Sequence, residues 1–214
     1  GSWGIPLTIL WIVGITNTVN LIDGLDGLAA GVSAIAAMTL FLVALQEARI
    51  MAAVLAAALA ASALGFLKYN FNPADIFMGD SGSMFLGYVL AAVSVTGALK
   101  SAAAVTLVAP VLALGIPILD TVFAIIRRLY KGHPIGRADH GHIHHRLLAL
   151  GWSQTQSVVI VYIVSLILGV MAFFVSGCDL RILLLNSGII SSALIFRGWK
   201  LGIFTVDLPA EGNT

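Results

Sequence analysis

Three polar clusters interrupt an otherwise apolar chain. The first, Asn17-Thr-Val-Asn20-Leu-Ile-Asp23-Gly-Leu-Asp26-Gly27, sets two amides and two carboxylates at every third position. A step of three residues turns a helix by about 300°, so the four cannot share one helical face. Asn17 and Asn20 are read as the last turn of a helix. Asp23 and Asp26 are read as lying on a break, eased by Gly24 and Gly27, where carboxylates and backbone can turn to a ligand. Helix capping at a membrane interface is the plainer alternative, although a cap needs fewer polar groups.

The second cluster is Lys68-Tyr-Asn70-Phe-Asn72-Pro73-Ala-Asp75-Ile-Phe77-Met-Gly79-Asp80-Ser81-Gly82-Ser83. Its Gly-Asp-Ser-Gly-Ser end joins a hard oxygen ligand, Asp80, to backbone N–H groups at a helix start, which is chemistry suited to magnesium and diphosphate. Ordinary N-capping would use the same residue types. Phe77 either stacks on a base or anchors at the interface. The third cluster, Arg137-Ala-Asp139-His140-Gly-His142-Ile-His144-His145-Arg146, gathers four of the five histidines within six residues. It has neither the spaced histidine pair with glutamate of a zinc protease nor a cysteine ligand. Anion binding by histidines and Arg146 is the favoured reading, with metal coordination and a solvated loop as alternatives. Asp120 would cost about 2.5–3.5 kcal/mol at the bilayer centre. It is therefore expected near the cytoplasmic end, lining the site or paired with Arg127 or Arg128.

The elements that must position these clusters are membrane helices. Of 214 residues, 59% are hydrophobic and 10% charged, and the mean hydropathy is +1.03. A soluble domain carries roughly a quarter charged residues, so most of the outer surface must face lipid. Runs of apolar residues without strict alternation choose helices over a barrel. The fold expected is an all-α, polytopic integral membrane protein of about seven spans, near 3–20, 27–45, 50–67, 82–99, 102–126, 157–176 and 180–196. The alanine enrichment at 52–63 is read as close helix packing.

If the turn at 21–26 is cytoplasmic, Lys68, Arg127, Arg128, Lys131, Arg137, Arg146, Arg197 and Lys200 are cytoplasmic too, eight of the eleven basic residues. This agrees with the positive-inside bias, and it puts all three clusters on one face as one composite site. The net charge of +1 gives no reason to expect nucleic acid as a partner. The lone Cys178 cannot form an internal disulfide. The first apolar run has no basic segment before it, so a signal peptide is not expected.

The ordered motifs identify a resemblance. Asn17-x-x-Asn20-x-x-Asp23-Gly-Leu-Asp26-Gly-Leu-Ala-Ala-Gly, then Asn70 with Pro73-Ala-x-Ile-Phe77-Met-Gly-Asp80-Ser-Gly-Ser, Pro117-Ile-Leu-Asp120-Thr, and His142-Ile-His144-His145-Arg-Leu-Leu-Ala-Leu-Gly resemble the polyprenyl-phosphate N-acetylhexosamine-1-phosphate transferases of glycosyltransferase family 4. The His-Ile-His-His form is similar to the WecA/TagO branch. The phospho-MurNAc-pentapeptide branch has three adjacent histidines instead.

The resemblance implies a magnesium-dependent enzyme, with manganese as a substitute, that moves a sugar 1-phosphate from a UDP-sugar to undecaprenyl phosphate and releases UMP. The expected group is GlcNAc-1-phosphate, and the expected place is the bacterial inner membrane with the site facing the cytoplasm. The implied partners are UDP-sugar, polyprenyl phosphate and the lipid bilayer, with a homodimer left open. Asp80 would ligate the metal with Asn20 beside it. Asp23, Asp26, Asn70 and Phe77 would shape the nucleotide pocket with Asn17. His142, His144, His145 and Arg146 would hold phosphates or sugar. Asp23, Asp26, Asp80, His144 and His145 are the expected catalytic set.

Two alternatives stand beside this reading: the phospho-MurNAc-pentapeptide transferase of the same family, and a transporter with a cytoplasmic anion site. The family's early pair of adjacent aspartates is absent, and the chain starts at Gly1. Residues 1–214 are therefore expected to form one membrane transferase domain that is incomplete at its N-terminus and catalytically silent alone.

Overall fold

The computed structural model describes residues 3–98, 110–130 and 143–176. Among them every regular element is helical: α1 (Gly4–Leu21), α2 (Leu28–Gln46), α3 (Ile50–Asn70), α4 (Gly79–Ala98), α5 (Gly115–Tyr130), α6 (Ile143–Ala149) and α7 (Gln154–Ser176). Residues 110–113 add a helical turn before α5. α1, α2, α3 and α7 are each long and apolar enough to cross a membrane. The chain is an all-helical, multi-pass membrane protein. α4 has 20 residues but opens on the polar Gly79–Ser83 turn. Of the seven expected spans, 102–126 corresponds within the described residues to the 16-residue α5 and the turn before it. The stretch 180–196 lies outside them.

α2 is the interior helix, flanked by α3, α4 and α7, while α1 packs along α4. Ala52, Ala53, Ala56, Ala60 and Ala63 are buried at intervals close to a helical turn, so α3 lays a stripe of small side chains against the core. With lipid outside there is little hydrophobic drive between helices, and close backbone approach supplies the attraction. The α1–α4 contact shows this most clearly. A Cβ on Gly87 would come within 2.8 Å of the Thr16 Cα, so any side chain there would force the two backbones apart. Trp11 locks the pair, its indole N–H donating to Ser94 Oγ at 2.8 Å.

Helix ends depart from the expected spans in one direction. α3 continues to Asn70, α4 begins at Gly79, and α7 begins at Gln154 rather than at 157. At α7 the reason is a capping box: Gln156 N–H donates to Ser153 Oγ, and Ser153 N–H to Gln156 Oε1. These polar turns lie beyond the apolar runs that marked the spans.

Candidate functional site

Where α1 stops, its last turn tightens. Asp23 N–H reaches the Asn20 carbonyl at 3.2 Å, and the chain leaves the helix with Asn20 still on its final turn. α2 starts from Gly27, whose φ of 79° lies in the left-handed region that favours glycine. Asp23 and Asp26 thus occupy a short break between two helices, as the glycine placement leads one to expect.

Asn20 joins this break to α4. Its side-chain nitrogen donates to Asp80 Oδ1 at 3.0 Å and to Ser83 Oγ at 2.9 Å, engaging both amide hydrogens. Ser83 Oγ in turn donates to the Gly79 carbonyl at 3.1 Å. Asp80 sits in the first turn of α4, where the helix dipole favours a carboxylate. Asn20 therefore presents its amide nitrogen to Asp80 and orients that carboxylate. Asn17, one turn earlier, is exposed and donates to the Val13 carbonyl of its own helix. Among the described residues it bonds to none of the cluster.

Asp26 and Asn70 tie the break to the loop 71–78. Asp26 Oδ2 accepts from Asn72 Nδ2 at 3.1 Å and from the Ala74 N–H at 3.2 Å. Asn70, only 3% exposed, accepts from the Gly27 N–H through Oδ1 and donates to the Ile76 carbonyl through Nδ2. Asn70 thus cross-links the break to the loop that carries Phe77. Phe77 itself is 76% exposed, an open aromatic face three residues before Asp80.

The charge balance of the cluster is negative. Burial first, and then the Asp80 and Asp26 carboxylates, push the Asp23 carboxyl up from 3.8 to about 6. A cation would relieve that repulsion. The donors are oxygens, which suit a hard ion such as magnesium. Among the described residues no three His, Cys, Asp or Glu side chains converge closely enough to hold a metal.

The histidine segment reaches the same end of the bundle through α6. Asp120, 3% exposed on α5, accepts the Ile143 N–H at 2.8 Å, so a buried carboxylate caps the short helix that carries His144, His145 and Arg146. A small cavity between Asp120, Ile143, Ile22, Leu28, Ile116 and Val161 sets this helix behind the Asp23–Asp26 break. His145 is half-buried and Arg146 buried. The His144 side chain and all of His142 lie outside the described residues. Ser83 and Asn72 join the site through Asn20 and Asp26, and Thr155 and Tyr162 of α7 reach Asn72 and the Gly27 carbonyl. Of these four, only Ser83 and Asn72 carried a signal in the sequence, as members of the second polar cluster.

The chain is similar to known proteins. A family model described as glycosyl transferase family 4 matches residues 1–98. Over 180 residues the chain is 47% identical to a probable undecaprenyl-phosphate N-acetylglucosaminyl 1-phosphate transferase of Bacillus subtilis (strain 168), covering 84% of this chain and 50% of the relative. It is 40% identical over 188 residues to a decaprenyl-phosphate N-acetylglucosaminephosphotransferase of Mycobacterium leprae, covering 79% and 46%. It is 37% identical over 171 residues to a phospho-N-acetylmuramoyl-pentapeptide-transferase of Rubrobacter xylanophilus, covering 78% and 49%. The chain spans about half the length of the curated relatives it matches.

Proposed function

Since this chain belongs to glycosyl transferase family 4, we propose that the whole protein transfers GlcNAc-1-phosphate from UDP-GlcNAc to undecaprenyl phosphate and releases UMP. The observation that carries this reading is the gathering of Asn20, Asp23, Asp26, Asp80 and the histidine helix at one end of an apolar bundle. A transporter would instead place its polar groups near the midplane of broken helices. The similarity to N-acetylglucosamine transferases at 47% and 40% identity favours that sugar over the muramoyl-pentapeptide alternative.

In this reaction a phosphate oxygen of the lipid forms a bond to the β-phosphorus of the UDP-sugar. The bond from that phosphorus to the oxygen retained by UMP breaks. Phosphoryl transfer asks the protein mainly for positioning and charge neutralisation. Magnesium, held on Asp80 with Asp23 nearby, would supply positive charge against the diphosphate oxygens; manganese would serve in its place. Asn20 aims the Asp80 carboxylate. Asp26, Asn70 and Asn72 fix the loop that offers Phe77 to the base, while His142, His144, His145 and Arg146 are assigned to the anionic groups by their residue types. An apolar bundle with this site at one end admits a lipid tail from the bilayer and a nucleotide from water. The reading places that end at the cytoplasmic face of the bacterial inner membrane, in accord with eight of eleven basic residues.

The test is UMP release by the purified full-length protein containing this chain, with undecaprenyl phosphate and either UDP-GlcNAc or UDP-MurNAc-pentapeptide. Release with UDP-GlcNAc that requires a divalent cation is expected. Asp80→Asn should lower it by at least ~100-fold, since each ~1.4 kcal/mol of barrier is tenfold in rate, with little change in unfolding temperature. No release from any UDP-sugar would end the transferase reading. Activity of Asp80→Asn within a few-fold of wild type would remove Asp80 from the metal site.

A further inference from the structure

The site's acidic break is held from behind by a helix that contributes none of its charged groups. Tyr162 lies on α7, 135 residues beyond Gly27, and its hydroxyl donates to the Gly27 carbonyl at 2.5 Å. A phenol in an apolar helix needs such a partner, because an unmatched buried hydroxyl is costly. The Gly27 N–H is also engaged, donating to Asn70 Oδ1 at 3.1 Å. Both polar groups of the residue directly after Asp26 are therefore engaged, the N–H by α3 and the carbonyl by Tyr162 of α7 in addition to the Gly31 N–H of its own helix at 2.9 Å.

The neighbouring turn is shaped to admit the ring. A Cβ on Gly31 would lie 2.1 Å from the Tyr162 ring and hydroxyl, so the absence of a side chain at Gly31 is what lets the phenol reach the carbonyl four residues earlier. Seven residues before Tyr162, on the same face of α7, Thr155 Oγ1 approaches Asn72 Oδ1 at 3.4 Å. Asn72 is the residue whose amide holds the Asp26 carboxylate. α7 thus bears on Asp26 twice, through the backbone that follows it and through the side chain that grips it.

The geometry points to Tyr162 as a positioning residue: through the Gly27 carbonyl it fixes where Asp26 stands in the nucleotide-binding part of the site, without touching substrate. This rests on the transferase reading above only for its kinetic readout. Tyr162→Phe removes the hydroxyl and keeps the ring. Gly31→Ala keeps the hydroxyl and displaces it.

In the full-length enzyme, Tyr162→Phe should raise KM for the UDP-sugar about tenfold, or ~1.4 kcal/mol, while KM for the polyprenyl phosphate stays within twofold. Gly31→Ala should do the same, and the two together should raise it no further than either alone, because both break one contact. A role in stability alone would lower the unfolding temperature and the active fraction and leave both KM values unchanged; that outcome, or a UDP-sugar KM within twofold of wild type, overturns the assignment. A second readout is independent of turnover. Amide hydrogen exchange in Tyr162→Phe should quicken about tenfold across residues 22–31 while α1 and α4 keep wild-type rates. Unchanged exchange at 22–31 overturns the assignment even if the protein proves to catalyse a different reaction. Quickened exchange in a protein that releases no UMP sustains the positioning and discards only the transferase reading.

Discussion

At the scale of single residues, the most informative group is the one under strain. Asp23 ionises against both its burial and the charges of Asp80 and Asp26, which carries its carboxyl up to about 6 from 3.8. A carboxyl raised on folding binds its proton more tightly in the folded state, so stability is greatest below the unfolded value and declines as pH rises through the folded one. In buffer free of divalent cations, the unfolding temperature should therefore fall between about pH 4 and pH 6. Asp23→Asn should flatten that decline. A wild-type profile that rises over this interval would show that Asp23 is not the group responsible.

Residue types at this scale were readable in advance, because carboxylates, amides and histidines stand out in an apolar chain. Which atoms they use was not. Nothing in Asn70 as a letter says that its oxygen holds Gly27 and its nitrogen Ile76. Tyr162 in an apolar run reads as a packing residue until the carbonyl it reaches is known.

At the scale of elements, α6 shows how a short helix is kept in place. Seven residues are too few to hold a helix in isolation, and α6 draws support from packing against α7 and from the Asp120 carboxylate on its first N–H. Asp120→Leu would leave that N–H unmatched at a cost of about 1–3 kcal/mol and loosen the histidine helix. UMP release should fall by at least tenfold in Asp120→Leu. Asp120→Asn, which retains an acceptor oxygen, should lose distinctly less. Equal losses in the two variants, measured side by side with their unfolding temperatures, would mean that the charge of Asp120 matters rather than its acceptor.

The expected spans located α1, α2 and α3 closely at their starts, since apolar runs mark where lipid is met. They ended too soon at 67 and began too late at 157, because interface turns are polar and helical at once. The Ser153–Gln156 capping pattern was visible in the sequence and would have moved the start of α7.

At the scale of the whole molecule, Asn20, Asp26, Asn70, Asp80 and Asp120 belong to five different segments, yet their hydrogen bonds collect at one end of the bundle. The far end is closed by Ser176 Oγ donating to Gln46 Oε1 and by the Glu47–Arg49 ion pair. That the described parts of the clusters gather at one end was legible from loop order, whereas which helices touch was not, since apolar faces carry little sign of their partners. The corresponding orientation is testable in cells. Cysteines placed at Gly132 and Gly212, both outside the described residues, should resist an impermeant thiol reagent until the membrane is opened. Labelling of intact cells would invert the topology.

The grip of α7 on Gly27 also has a consequence for biosynthesis. The residues of the break leave the ribosome before their partners, Asn72 46 residues after Asp26 and Tyr162 135 residues after Gly27. At roughly 5–20 residues per second, the last interval amounts to about 7 to 27 seconds. During that time α1 to α4 can already have entered the membrane with the acidic turn held from one side only. Chains truncated before α7 would then carry an unfinished break, so the completion of this site coincides with the arrival of a late helix and gives quality-control proteases a window in which incomplete copies differ from finished ones.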